Sequence, residues 1–138
     1  MKASAQELAF APLATVAEAI QHKQVSPVEL MNASLARIET LDPKLNSFYT
    51  LFRDYALEAA RAAEAGIARG EYRGALHGIP IGIKDIYECG PTTCGSQSLK
   101  SYVAAEDCVA VTQVVVNPGN ALILIKVNGA LVVVLSAS

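Results

Sequence analysis

Apolar side chains return at helical spacing after Ser26, where Val28, Leu30, Met31, Leu35, Ile38 and Leu41 form one stripe. Ser26-Pro-Val-Glu29 has the hydroxyl-x-x-acid spacing of a capping box, in which two side chains satisfy backbone donors that the first turn leaves orphaned. Pro27 falls at the first helical position, where its missing N–H costs nothing. The pattern predicts a helix that begins there and stops before Pro43. Thr15-Val-Ala-Glu18 repeats the capping-box spacing and predicts an earlier helix start. A third helix is predicted from Asp54 to Arg69, rich in alanine, with Gly66 weakening its last turns and Gly70 as its C-terminal stop.

A different period appears at Ile79 to Asp85. Strict alternation there puts Ile79, Ile81 and Ile83 on one face and Pro80, Gly82 and Lys84 on the other, as in a strand. Leu45 to Phe52 reads equally as a short extended piece or a buried connection. Residues 88–98 are a loop of Gly, Pro, Thr, Ser and Cys. Ala105 to Val116 has helical length, yet Val109, Val111, Val114, Val115 and Val116 favour a strand. Ala121 to Val127 and Ala130 to Leu135 are strand candidates on either side of Asn128-Gly129, the pair suited to a type I′ turn, so a C-terminal β-hairpin is expected.

Composition narrows the class. At 138 residues the chain has the size of one domain, and 52% hydrophobic with 17% charged residues excludes a disordered polyelectrolyte. A formal net charge of −2 offers no electrostatic basis for a nucleic-acid partner. The charge is uneven, because residues 108–138 carry only Lys126. The uncharged run from Cys108 to Ile125 approaches membrane-span length, but Thr112, Gln113, Asn117, Pro118, Gly119 and Asn120 interrupt it, so no membrane span is expected. Three cysteines, Cys89, Cys94 and Cys108, cannot all pair within the chain, and no signal peptide precedes them. A reduced, cytoplasmic setting is expected.

Candidate chemistry is sparse. Cys89 and Cys94 lie five apart with no second pair, which is not a zinc spacing, and neither a metal nor a cofactor is expected. His77 has no Ser or Cys partner identifiable from sequence and reads as a hydrogen-bonded structural histidine; His22 reads as a solvent-facing residue favourable to a helix end. The loop Gly90 to Ser96 lacks the lysine and spacing of a phosphate-binding loop. Lys84 ends the small-residue face of its strand, beside Gly82, where another backbone or a substrate can approach closely. By spacing alone it reads either as a snorkelling strand-end lysine or as a working amine.

Ser26-Pro-Val-Glu-Leu, Ala36-Arg-Ile-Glu, Leu41-Asp-Pro-Lys-Leu-Asn46, His77-Gly-Ile-Pro-Ile-Gly-Ile-Lys-Asp85, Pro91-Thr-Thr-Cys-Gly-Ser96 and Ala105-Glu-Asp107 together resemble the N-terminal part of the amidase signature family. The resemblance is strong over residues 14–107. It is faint in the apolar tail 108–138, where Pro118 to Asn128 is only loosely similar to a family strand. The resemblance implies a mixed sheet surrounded by helices and a Ser–cis-Ser–Lys triad that opens a carboxylic amide through an acyl-enzyme. General amidases and the amide-cleaving chains of tRNA-dependent amidotransferases share that chemistry. Lys84 matches the triad lysine; burial disfavours the charged form of an amine, so a desolvated lysine can take a proton near neutral pH.

The family's nucleophilic and bridging serines belong to a Gly/Ser-rich segment that this sequence does not contain. Gly95-Ser-Gln-Ser98 belongs by position to the preceding loop and receives no catalytic role. The stretch between Asp85 and Pro91 is also a residue or two shorter than the family's usual loop. The expectation is therefore a single partial amidase-like domain over 1–138, of α/β class, with N-terminal helices packed on a partial mixed sheet. It would be an N-terminal fragment or truncated product that keeps Lys84 and is inactive alone, a small-molecule amide being the substrate only of a complete family member. The alternative is a noncatalytic binding or assembly module that associates, with itself or a partner chain, through its apolar sheet edge and tail.

Overall fold

The computed structural model describes residues 4–112 and the backbone of 122–127. Helices α1 (Ala5–Leu8), α2 (Leu13–Gln21), α3 (Pro27–Leu45) and α4 (Arg53–Ala68) precede most of the sheet. Strand β1 (Phe48–Leu51) joins α3 to α4; β2 (Pro80–Lys84), a short 3-10 turn (Gln97–Leu99), α5 (Val109–Val111) and β3 (Leu122–Val127) follow. The strand order is β1-β3-β2, with β3 antiparallel to β1 and parallel to β2. This is the partial mixed sheet expected, and β3 is its centre.

Helix α3 starts where the capping box puts it. The Glu29 N–H donates to Ser26 Oγ at 3.0 Å and the Ser26 N–H donates to Glu29 Oε2 at 2.8 Å, with Pro27 at the first position. Ser26→Ala is expected to lower stability by about 1 kcal/mol, read as a shift in urea midpoint with unchanged slope. An unshifted midpoint would mean that water replaces the cap at no cost.

Two helix boundaries differ from expectation. Thr15 is not a cap: α2 begins at Leu13, because Pro12 supplies a preset φ of −53° and its carbonyl already accepts the Val16 N–H at 3.1 Å. That earlier start still turns Val16, Ala17, Ala19 and Ile20 into the core. Helix α3 does not stop before Pro43 but runs through it to Leu45. A proline in the last turn forfeits one intrahelical bond, and other bonds hold the end. Asn46 adopts a left-handed φ of 49° and donates to the Asp42 carbonyl at 2.7 Å, while the Asp42 carboxylate takes the Ser47 and Phe48 N–H groups at 2.6 and 3.1 Å.

Packing explains the alanine content of α4. Ala56, Ala60 and Ala63 recur on one face and are buried, and the first two form a core cluster with Met31 and Leu35 of α3. A second cluster joins Val16, Ile20, Val25 and Leu30 to Ile67 and Ile79, tying the amino-terminal helices to the approach of β2. Within the stretch Leu45 to Phe52, Phe48–Leu51 forms strand β1, and of the segment 105–112 only Val109–Val111 is α-helix. The second strand of the expected hairpin, 130–135, lies outside the described residues. Along 125–127, β3 pairs with β1 on one side and β2 on the other.

Candidate functional site

Lys84 is the last residue of β2, aligned with Val127 of the parallel strand β3, and it is half-buried. The alternation read from sequence is only partly visible in the burial: Ile79 and Ile83 are buried, but Ile81 is half-buried like Pro80, Gly82 and Lys84. The chain turns immediately after Lys84, whose carbonyl accepts the Tyr87 N–H at 3.1 Å.

Asp85, the next residue, is only 3% exposed. Its carboxylate accepts the Thr93 N–H at 3.1 and 3.2 Å and the Thr93 hydroxyl at 2.5 Å, and its carbonyl accepts the Cys94 N–H at 3.1 Å. Thr93, equally buried, in turn accepts the Gly95 N–H on Oγ1 at 3.1 Å and the Ser96 N–H on its carbonyl at 2.8 Å. Cys94 and Gly95 have φ of 51° and 70°, so Thr93 to Ser96 is a tight turn with both central residues left-handed. Sequence reasoning assigned Asp85 and Thr93 no role. The available signal was an acid directly after an alternating strand, with a threonine pair seven and eight residues on.

The remaining candidates separate. Cys94 is exposed on that turn, while Cys89 is buried with Ile83 and Val111, and Cys108 packs against the same cluster. Among the described residues no group of three or more His, Cys, Asp or Glu is placed to hold a metal ion, and no helix is long and apolar enough to cross a membrane. His22 is exposed at the end of α2, where its Nδ1–H donates to the Glu18 carbonyl at 2.9 Å.

His77 is buried, and its Nδ1 accepts the Arg73 N–H at 3.3 Å. Burial pushes its pKa below the ordinary histidine value, the Arg73 charge adds to that, and Glu71 opposes it. A base whose folded pKa is depressed binds fewer protons in the native state than when unfolded. Its contribution to stability is therefore complete above the unfolded pKa of about 6.5 and is lost as the pH falls through the folded value. Urea midpoints are expected to fall between pH 7.5 and 5.5, and His77→Gln should flatten that dependence. An equally steep fall in the variant would assign the effect to other groups.

Comparison with known proteins bears on the family and the fold. A family model described as Amidase matches residues 29–128, past the 14–107 stretch of strong resemblance and through β3. A putative amidase of Mycobacterium tuberculosis is 42% identical over 103 residues, which are 73% of this chain and 22% of that protein. The peptide amidase of Stenotrophomonas maltophilia superposes with a TM-score of 0.77 at 28% identity, over 89% of this chain and 26% of that one. An amidase family protein of Bacillus anthracis gives a TM-score of 0.77 at 28% identity, over 90% of this chain and 25% of that one. The chain thus spans about a quarter of the length of the relatives it matches. With nearly all of α3, the whole of α4 and the mixed sheet with the strand that ends in Lys84 inside the matched residues, the chain belongs to the amidase family.

Proposed function

We propose that this chain contributes the lysine base of a site that cleaves carboxylic amides, or transfers their nitrogen, through a Ser–cis-Ser–Lys triad. The observation that carries the reading is the place of Lys84 at the carboxyl end of β2, beside the parallel strand β3 and within the Amidase match. Open α/β sheets bind ligands at that end of their parallel strands. Gly82, two residues earlier on the same face, places no side chain of its own beside the amine. Lys84 Nζ receives the proton that the bridging serine relays from the nucleophilic serine, and returns it to the leaving nitrogen. Neither serine is assigned within residues 1–138, so the chain alone lacks both the nucleophile and the relay.

Ammonia release from simple aliphatic and aromatic amides tests this division of labour. The purified 138-residue chain is expected to show no turnover above background. Turnover by the chain alone would place the nucleophile inside it and refute this division of labour, and turnover that persists in Lys84→Ala would refute the lysine as base.

The exposed edges favour a second reading, as a noncatalytic assembly module. Among the described residues β1 and β2 are the outer strands of the sheet, and Leu45 and Tyr49 near β1 are 64% and 46% exposed. This reading requires concentration-dependent association in sedimentation experiments, weakened by Leu45→Glu. A monomer at all concentrations would remove it.

A further inference from the structure

We propose that Asp85 and Thr93 are positioning residues, a buried carboxylate–threonine clasp that pins the Thr93–Ser96 turn to the end of β2 and thereby holds Lys84 in place. The inference rests on Lys84 as the base and adds what orients it. An acid buried immediately after a strand is costly unless donors meet its oxygens, and here one residue, Thr93, supplies both a backbone N–H and a hydroxyl. The neighbouring peptide repeats the connection, since Cys94 N–H donates to the Asp85 carbonyl. The 85–93 segment is therefore closed at both the side chain and the main chain of Asp85. Thr93 Oγ1 also accepts the Gly95 N–H, so one hydroxyl links the acid to the left-handed turn.

The consequence falls on Lys84 because it is covalently next to the clasp and its carbonyl already bonds to Tyr87 inside the same loop. Without the clasp, the loop is tied to the strand end by fewer bonds, and the last strand residue gains freedom. A general base tolerates little of that, since misplacement by about 1 Å costs about a hundredfold in rate. Asp85 and Thr93 thus act on the chemistry only through Lys84.

Two measurements on different properties test the clasp. In the 138-residue chain, acylation of Lys84 by an activated ester is followed by peptide mass spectrometry, with exposed Lys23 and Lys44 as internal references. Thr93→Val removes the hydroxyl at nearly constant volume and is expected to raise the relative rate at Lys84 about threefold or more through local opening, while Thr93→Ser keeps the wild-type rate. A wild-type rate in Thr93→Val, with its circular dichroism spectrum retained, overturns the proposal. Should Thr93→Val fail to fold, Asp85→Asn decides by the same criterion, because its carboxamide still accepts the Thr93 N–H.

The second measurement uses a single polypeptide that joins residues 1–128 to the remainder of a peptide amidase. There Thr93→Val should lower kcat about tenfold or more with KM within about twofold, and Thr93→Ser should restore it. An unchanged kcat, or a loss confined to KM, counts against the clasp. Full activity of Lys84→Ala in that polypeptide would instead refute Lys84 as the base, which leaves the acylation result to stand by itself.

Discussion

Gly78→Ala is expected to destabilise the chain by about 2–6 kcal/mol, a large share of the roughly 5–15 kcal/mol that holds a domain folded. Two independent costs meet at this residue. Its φ is +87°, where an L side chain is strained by about 1–3 kcal/mol, and a Cβ there would lie 2.6 Å from Pro27 Cγ. Pro27 is buried at the first turn of α3 and cannot swing aside, so the chain must shift at about 1–3 kcal/mol more. Gly70 provides the control, with φ +90° and nothing within 4 Å of its would-be Cβ. Gly70→Ala should show the backbone cost alone, and the difference between the two urea midpoints isolates the packing part. Equal losses in both variants would mean that Pro27 yields, and a Gly78→Ala protein within about 0.5 kcal/mol of wild type would refute the close approach altogether.

Lys84→Ala carries the largest expected effect on activity. In the polypeptide completed with the remainder of a peptide amidase, loss of the base should reduce kcat by on the order of a thousandfold or more, as removal of one member of a catalytic unit does. The fold should hardly register the change. Lys84 is half-buried at the end of β2, and its strand pairing with β3 is made by the backbone. A melting curve within about 2 °C of wild type is therefore expected beside the kinetic collapse. Normal turnover with an unchanged melting curve would show that some other group accepts the proton. A collapse of both would make Lys84 a structural lysine instead.

Rules that act over a few residues made much of this protein legible from sequence. The Ser26–Glu29 box fixes the start of α3 because both partners lie within one turn of each other. Gly70 closes α4 within a residue of its expected end, and alternation placed β2 with Lys84 at its end, while the resemblance to the amidase signature family nominated that lysine as the base. Two of the family motifs, Ser26 to Leu30 and His77 to Asp85, lie in or beside those segments, so part of the likeness to amidases is carried by locally determined structure.

Where sequence fell short, contacts that no local pattern announces took part, from side chains reaching past the next few residues to strands far apart in the chain. Pro43 stays helical because Asp42 reaches forward to Ser47 and Phe48, a stabilisation that proline propensity does not count. The apolar segment 122–127 looked like the first half of a local hairpin, since Asn128-Gly129 is turn chemistry and sequence offers no view of competing strands. Tertiary structure makes it the central strand, paired with β1 some seventy-five residues earlier and with β2 some forty residues earlier. Alternating apolar residues say that a strand will be covered but not by which neighbour. Likewise Asp85 became informative only when folding brought Thr93 onto it, and Gly78 only when Pro27 closed over it. Local chemistry therefore determined which elements form, and the resemblance carried by those local motifs named the candidate base. Long-range packing, which must satisfy every buried polar group and fill every gap at once, decided how the strands pair and what holds that residue in place.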